Sequence, residues 1–392
     1  MPHLLKKSLA QLKISHISSG FITVLVGYTS SVAIILQAAA SAGATPSELN
    51  SWMWALGIGM AISCIVPSWY YKTPILTAWS TPGAALLISS LQGLSMAEAV
   101  GAFLFASGLM TLIGLTGWFE RIMSWVPRSL AASMLAGILL NFGLGIFTEM
   151  QQAPVFLLGL FGVFSVALCL WPRYAIILTF ISGLAYLSLF TSLSVDTLTW
   201  QWAYPVWVSP QFNWPVMLGV GLPLCLVTLT SQNVPGLAIL RAHGYTTPAS
   251  PLVAGTGFLG VLLAPFGGFA FNLAAISAAL CLGESTDPDP SQRYKAAIWA
   301  GFFYGLTGLA GAAIVNVFAI LPDYFIAALA GLALLGTLSA ALHTALEENT
   351  TRDAALITLL VTASGLNFFG LGSAFWGLVF GWLLLQLKRK LA

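Results

Sequence analysis

Long apolar runs, separated by short clusters of charged, proline and glycine residues, make up almost the whole chain. A helix needs about 20 apolar residues to cross the hydrocarbon core of a bilayer. The sequence therefore predicts an all-α polytopic membrane protein with fourteen membrane-spanning segments. Their predicted bounds are 17–40, 52–70, 74–91, 97–117, 127–147, 154–171, 174–192, 214–237, 249–263, 266–282, 295–315, 322–344, 353–366 and 372–387.

The placement of charge supports this number of segments. If the N-terminus lies in the cytoplasm and the segments alternate in direction, all 14 Lys and Arg residues fall on the cytoplasmic side, where positive charge concentrates in membrane proteins. The charged residues of the outer loops are then all acids, such as Glu48, Glu98 and Asp196. A missed segment in mid-chain would move about half of the basic residues across the membrane. We therefore expect both termini in the cytoplasm.

Composition argues against a soluble fold of this size. The 392 residues are 58% hydrophobic and 7% charged, whereas soluble domains contain about 25% charged residues. Metal-dependent or hydrolytic chemistry would need clustered His, Cys, Asp or Glu within the segments, or a Ser/His/Asp set. The sequence has neither, and it has no HExxH motif. We expect no enzyme activity, no cofactor, no metal ion and no nucleic-acid partner.

The two halves of the chain contain similar stretches. Residues 127–140 resemble residues 322–335, at an offset of about half the chain, although Ala, Gly and Leu are common in all membrane helices and chance similarity is the alternative. The first copy starts on the basic side and the second on the acidic side. Because each half has an odd number of segments, seven, the second half starts on the opposite side of the membrane from the first. The pattern therefore predicts a 7+7 inverted repeat, as in many secondary transporters.

Segments three and ten are poor continuous helices. Pro74 and Pro82 bracket β-branched and aromatic residues in segment three, which predicts an extended stretch followed by a half-helix with Thr81 as N-cap and Pro82 as its first residue. In segment ten the glycine pair 267–268 breaks the helix, and Asn272 is expected to cap the half-helix that follows. The two breaks are separated by the repeat offset.

Two half-helix N-termini near the middle of the membrane would form a site for an anion without any Lys or Arg. Extended backbone at that depth persists only where it is buried in protein or lines a cavity. The alternative interpretation is a pair of proline-kinked helices that bind nothing. The Ser and Thr residues of segments one and eight could form hydrogen bonds between helices instead of binding substrate, and this is the main alternative for them. The aromatic residues beside the breaks could be core residues that do not contact a substrate. The candidate substrate-binding residues are Tyr28, Ser31, Thr77, Trp79, Ser80, Thr81, Gly83, Ser231, Gln232, Asn233, Phe269, Phe271 and Asn272.

The stretches 76–87, 130–140, 226–236 and 372–377 resemble the benzoate/proton symporter family of bacterial inner membranes. The resemblance implies the fold of nucleobase permeases and sulfate-type anion transporters, with short strands and half-helices in segments three and ten. It implies a core domain from residues 1–120 and 196–316, and a gate domain from residues 121–195 and 317–392. It further implies a homodimer that imports benzoate or a related small aromatic carboxylate with a proton, by alternating access.

One difference from that fold concerns charge. Nucleobase permeases have acids in segments eight and ten, whereas the stretches 230–233 and 268–272 here have none. Neutral groups suit an anionic carboxylate, but they leave proton coupling without an obvious carrier. His16, His243 and His343 lie near the inner ends, where we expect an interfacial role, and the substrate itself could carry the proton. The alternatives are a nucleobase or inorganic-anion transporter, or an anion channel, of the same fold.

Overall fold

The computed structural model describes residues 13–29, 31–119, 121, 127–190, 201–274, 277–284 and 286–391. These residues are mostly helical, with one pair of short strands. The elements are α1 (Ile14–Thr29), α2 (Val32–Ser41), α3 (Pro46–Tyr71), β1 (Thr77–Trp79), α4 (Thr81–Ser90), α5 (Met96–Leu115), α6 (Arg128–Glu149), α7 (Pro154–Leu170), α8 (Ala175–Phe190), α9 (Trp214–Ala242), α10 (Ala249–Leu263), β2 (Phe271–Leu273), α11 (Ala279–Leu282), α12 (Tyr294–Leu309), α13 (Gly311–Ala319), α14 (Asp323–Leu346), α15 (Arg352–Ala363) and α16 (Ser373–Leu391).

Six of the described helices are long and apolar enough to cross a membrane. Two bent helix pairs, α1 with α2 and α12 with α13, raise that number to as many as eight. The prediction of a polytopic helical membrane protein is therefore confirmed. The number of fourteen spans and the 7+7 inverted repeat stay predictions, because the remaining helices are too short or, like α16, too charged at one end to qualify. Of the predicted domain limits, residue 120 and residues 195–196 lie outside the described residues.

Acidic residues at the predicted outer side fix the starts of two long helices. The Thr45 side chain accepts the amide of Glu48, and the Glu48 carboxylate accepts the Thr45 amide at 2.8 Å. Ser95 and Glu98 form the same reciprocal arrangement at the start of α5. Such capping boxes satisfy amides that have no partner inside the helix. The acids of these loops therefore have a local structural role that requires no ligand.

Small residues bring the long helices into close contact. Gly57 of α3 lies against Gly308 of α12, and Gly114 of α5 lies against Ala254 of α10, with no room for a Cβ on either glycine. In the same way α6 packs along α14. Since lipid gives no hydrophobic drive for helices to associate, close van der Waals packing of this kind holds membrane helices together. Of these helices, α3 and α10 contact the strands.

The two strands confirm the predicted extended stretches. They pair antiparallel with Thr77 opposite Leu273, Ala78 opposite Asn272 and Trp79 opposite Phe271. The expected break before β2 is also present, because the chain turns at Gly267 with a φ of +91°. Each strand thus supplies backbone hydrogen-bond partners to the other, as extended backbone inside a membrane protein requires.

Two details of the predicted half-helix caps are wrong. The N-cap of α4 is Ser80 and not Thr81, which is the first residue of the helix. Asn272 lies inside β2, where its amide group donates to the carbonyl of Ala270 at 2.9 Å. The described helix that follows, α11, has Ala278 at its N-cap position. Asn272 therefore stabilises the turn before its own strand instead of capping a helix.

Candidate functional site

The start of α4 follows β1 directly and supplies the first part of the candidate site. The Ser80 hydroxyl accepts the amide of Gly83 at 3.0 Å, which leaves the amide of Thr81 without an acceptor inside the helix. Pro82 has no amide hydrogen to satisfy. The Thr81 side chain is half-buried and makes no hydrogen bond to the described residues. An incoming anion would meet the Thr81 amide and hydroxyl together with the positive end of the helix dipole.

Helix α1 adds an aromatic wall beside this helix start. The indole Nε1 of Trp79 donates to Ser31 Oγ at 2.7 Å, and Ser31 Oγ donates to the carbonyl of Gly27 at 2.7 Å. The rings of Tyr28 and Trp79 lie 5.0 Å apart. The bond from Trp79 is buried and the bond from Ser31 is partly buried, so the Trp79 ring has a fixed orientation. Ser31 thus positions Trp79 and has no hydroxyl hydrogen left to donate to a ligand.

Helix α9 approaches the strands through a π-helical turn at Leu229–Asn233. Wide turns of this type are frequent at functional sites. Asn233 is fully buried, and its Oδ1 accepts the amide of Leu273 at 3.0 Å. The Ser231 hydroxyl donates to the carbonyl of Val227. Gln232 is half-buried and makes no hydrogen bond within the described part of the chain, so its amide is available to a ligand.

Three of the candidate residues pack into the protein behind the strands. The Thr77 hydroxyl lies 2.5 Å from Ser63 Oγ and 3.1 Å from Cys64 Sγ on α3. Phe269 is fully buried against the rings of Trp52 and Phe103. Phe271 occupies the space beside two glycines, one of α3 and one of α10. Their surroundings are those of core residues, which was the alternative interpretation for the two phenylalanines.

Asn272 is a candidate with a buried polar atom that lacks a partner. The residue is fully buried, and its Oδ1 has no hydrogen-bond partner among the described residues. In β2 its side chain points to the face opposite Phe271 and Leu273. An unsatisfied buried carbonyl oxygen costs about 1–3 kcal/mol. A proton on the substrate is one group that could satisfy it.

Two cavities lie near the candidate residues. The first measures about 360 Å³ and lies between α1, α2, α8 and α13, with Tyr28, Val32, Phe180 and Phe318 in its wall. Its size falls within the range of small-molecule sites. The second measures about 440 Å³, lies between α3 and α10, and reaches Thr77 from behind. The first cavity adjoins the Tyr28–Trp79 pair and is the better candidate for an aromatic ligand.

The described surroundings of this site contain no acid. Every described Asp and Glu lies in a loop or in the first or last turn of a helix. The described residues also contain no group of His, Cys, Asp and Glu that could hold a metal ion. At the start of α5, Glu98 accepts hydrogen bonds from Ser95 and Asn213, which gives this carboxylate local partners.

Comparison with known proteins identifies the family. A family model described as benzoate membrane transport protein matches residues 10–387. The chain belongs to this family. Inner membrane protein YdcO of Escherichia coli (strain K12) is 46% identical over 363 residues, which cover 93% of each chain. The benzoate membrane transport protein of Acinetobacter baylyi is 39% identical over 383 residues, 98% of this chain and 97% of that one.

Solved structures show the fold of this benzoate transport family member. SLC26A9 superposes with a TM-score of 0.63 at 13% identity, over 97% of this chain and 66% of that chain. The transmembrane domain of the cyanobacterial bicarbonate transporter BicA superposes with a TM-score of 0.58 at 12% identity, over 96% and 98%. At these identities the likeness establishes the fold only. Family membership confirms the prediction of a membrane transport protein and not an enzyme.

Sequence analysis did not find every residue that shapes this region. Phe180 and Phe318 stack at 5.9 Å in the wall of the first cavity, but they come from apolar helices in which no residue pattern marks them. Ser63 and Cys64 support Thr77 from α3 and were equally unmarked. His16 was expected at an interface, and its side chain is instead completely buried against Asp287. Long-range packing, which a single sequence does not display, decides all of these positions.

Proposed function

We propose that this protein imports benzoate or a related small aromatic carboxylate, together with a proton, by alternating access. The observation that carries the proposal is the start of α4. Its Thr81 amide and hydroxyl have no partner in the described residues, and they lie beside a strand pair with no acid nearby. Such a helix start attracts an anion, and nothing in the described surroundings would repel a carboxylate.

The aromatic preference is supported by the adjoining walls. The cavity of about 360 Å³ has an almost entirely apolar lining that includes Phe180 and Phe318. Tyr28 lies in the same wall and contacts Trp79, which lies next to the α4 cap. A benzene ring could pack on these side chains while its carboxylate reaches Thr81 and Gln232. The same wall would give sulfate no apolar contact to make.

The proposed architecture has fourteen spans in a 7+7 inverted repeat. The packing of the long helices supports it. In such a repeat α3 corresponds to α10, α5 to α12, α6 to α14 and β1 to β2. The contact between α3 and α12 then has its counterpart in the contact between α10 and α5, and the pairs α6–α14 and β1–β2 each join two corresponding elements. The first cavity lies where the proposed gate domain, residues 121–195 and 317–392, meets the core domain, residues 1–120 and 196–316. A movement between the two would open this cavity to one side or the other.

Ion pairs support the proposed orientation, with both termini in the cytoplasm of a bacterial inner membrane. Lys13 pairs with Asp287 at 2.9 Å, and Lys388 pairs with Asp353. All four residues belong to loops or helix ends that the proposal puts on the cytoplasmic side. A relative is named as an inner membrane protein. A homodimer remains part of the proposal through the family resemblance.

The proton can travel on the substrate. A benzoate-like acid has a pKa near that of Asp or Glu, and transfer into a buried site raises the pKa of a carboxylic acid. The protonated form could then donate to the unpartnered Oδ1 of Asn272. This route requires no acidic side chain near the strands.

An inorganic anion is the second candidate substrate. The fold of BicA, a bicarbonate transporter, is shared, and a helix start without nearby acids would also accept a small inorganic anion. Such a substrate would leave the aromatic wall at Tyr28 and Trp79 without a function. The two candidates therefore differ in whether the ring of the ligand contributes to binding.

A ligand-induced thermal shift of the purified protein tests the substrate class. The panel contains benzoate, hydroxybenzoates, salicylate, uracil, bicarbonate and sulfate. A ligand at 100 times its Kd stabilises the native state by about 2.7 kcal/mol, which raises Tm by several degrees. We expect benzoate and its close analogues to raise Tm and the other ligands to have no effect. Stabilisation by uracil, bicarbonate or sulfate alone would refute the proposal.

A further inference from the structure

A buried histidine–carboxylate pair lies at the predicted cytoplasmic end of α1. Nε2 of His16 lies 2.8 Å from Oδ2 of Asp287, and both side chains are completely inaccessible to solvent. The other ring nitrogen, Nδ1, has no hydrogen-bond partner among the described residues. Buried ionisable groups are rare unless they are paired. Here one nitrogen is paired and the other remains open.

The groups around the pair are mostly cationic. Lys13 on α1 contacts the Asp287 carboxylate at 2.9 Å. Arg293, in the same loop as Asp287, donates through Nε to the Asp287 carbonyl at 2.7 Å and through Nη1 to the Leu282 carbonyl at 2.8 Å. Lys295, at the start of α12, also acts on His16, and Asp289 of the loop and Lys72 at the end of α3 act in turn on Lys295.

The charge state of the pair follows from these contacts. His16 precedes the predicted first membrane segment, and burial lowers its pKa below 6.5 although Asp287 opposes the change. Burial alone would raise the pKa of Asp287, but hydrogen bonds from Lys13, the Asp289 amide and His16 lower it to about 2. At neutral pH the pair is therefore a neutral imidazole that donates from Nε2 to a carboxylate, with a free lone pair on Nδ1.

We propose that Nδ1 of His16 is a proton-binding site of this transporter and that its occupancy is linked to the binding of the substrate anion. A proton that adds to the Nδ1 lone pair converts the ring to imidazolium, while the Nε2–H bond to Asp287 remains in place. The inference rests on the proposed function and deepens it. It adds a protein-borne proton to a site whose strand region contains no described acid.

The structure connects this pair to the candidate substrate site in two ways. Helix α1 has His16 near one end and Tyr28 near the other. The loop with Asp287 follows α11, and Thr286 Oγ1 lies 3.0 Å from Ser19 Oγ on α1 and donates to the Leu280 carbonyl at 2.9 Å, so the Ser19 hydroxyl donates to Thr286. The chain between β2 and α12 is thus attached to α1 at the level of His16.

The linkage has a calculable sign and size. The rise of α1 between His16 and Tyr28 is about 18 Å. At that distance and an effective dielectric constant of about 20, a bound carboxylate and an imidazolium attract each other enough to change affinity about fivefold. Substrate then raises the pKa of His16, and the proton raises substrate affinity by the same factor. Affinity should therefore increase as pH falls below about 6.5.

The test measures proton uptake when benzoate binds to the purified protein in a weakly buffered solution with a pH indicator, together with Kd at pH 5.5 and 7.5. Benzoate stays mostly ionised over this range, so a change comes from the protein. We expect the wild type to take up a fraction of a proton and to bind up to fivefold more tightly at pH 5.5. His16→Gln keeps a donor for Asp287 but cannot bind the proton, so both effects should disappear while Kd at pH 7.5 changes less than threefold.

His243→Gln is the matched control, because His243 is exposed at the end of α9. It should behave like the wild type. Unchanged proton uptake and pH dependence in His16→Gln would overturn the proposal. If that variant does not fold, NMR titration of the four histidine rings in the wild type tests the proposal instead. A His16 ring that stays neutral from pH 8 to pH 4 would also overturn the proposal. A wild type that binds no benzoate refutes the proposed function, whereas titration of His16 would still establish the proton site.

Discussion

Thr81 allows the anion site to be tested with a substitution whose effects on stability and on binding have opposite signs. Thr81 is the first residue of α4, half-buried, and its side chain has no partner in the described structure. A carboxylate at the start of a helix interacts favourably with the helix dipole, by about 0.3–1 kcal/mol. Thr81→Asp should therefore leave Tm unchanged or raise it slightly. The same carboxylate would occupy the position that we assign to the carboxylate of the substrate.

The loss of binding can be estimated from Coulomb's law. Two carboxylates about 5 Å apart at an effective dielectric constant of about 20 repel each other by about 3 kcal/mol. Benzoate affinity should fall on the order of a hundredfold. Thr81→Asn has nearly the same shape without the charge, and we expect its Kd to rise less than fivefold. Titration of benzoate by intrinsic tryptophan fluorescence gives both values. A Thr81→Asp protein that is folded and binds benzoate within threefold of the wild type would refute an anion site at this helix start.

Three further substitutions separate the roles of the polar residues near the strands. Gln232→Leu removes an amide that no described residue uses, so uptake should be abolished while Tm falls by less than about 2 °C; uptake at the wild-type rate would remove Gln232 from the site. Asn233→Ala deprives the buried Leu273 amide of its acceptor. The loss should cost about 1–3 kcal/mol of stability and lower Tm in a thermal melt. An unchanged Tm would show that this hydrogen bond does not contribute to stability. Asn272→Leu should abolish uptake while the protein remains in the membrane fraction, and wild-type uptake in this variant would contradict the assignment of Asn272.

Local chemistry explains why the two breaks could be predicted from the sequence. Pro74 and Pro82 restrict the backbone whatever surrounds them, and Gly267 permits a positive φ that other residues resist. The extended stretches follow from these restrictions. Local chemistry did not distinguish Ser80 from Thr81 as the cap, because both side chains are good N-caps and the strand geometry decides between them.

Residues that lie far apart in the sequence were the ones that could not be predicted. Alternation puts Thr77 and Trp79 on the same face of β1, and only the packing shows that Thr77 contacts Ser63 and Cys64 of α3 while Trp79 contacts Tyr28 of α1. His16 and Asp287 are separated by 271 positions, so no local pattern indicates their pairing. The sequence identified the broken segments correctly but did not show which side chains face the cavity.

Uptake of radiolabelled benzoate into proteoliposomes tests transport with a proton most directly. With the outside at pH 7 and the inside at pH 8, less than about 1% of the substrate is the neutral acid that crosses lipid unaided, and protein-free liposomes correct for that fraction. We expect saturable, protein-dependent uptake that is faster with this gradient than at pH 7 on both sides. Equal rates under the two conditions, or no uptake above that of protein-free liposomes, would contradict the account.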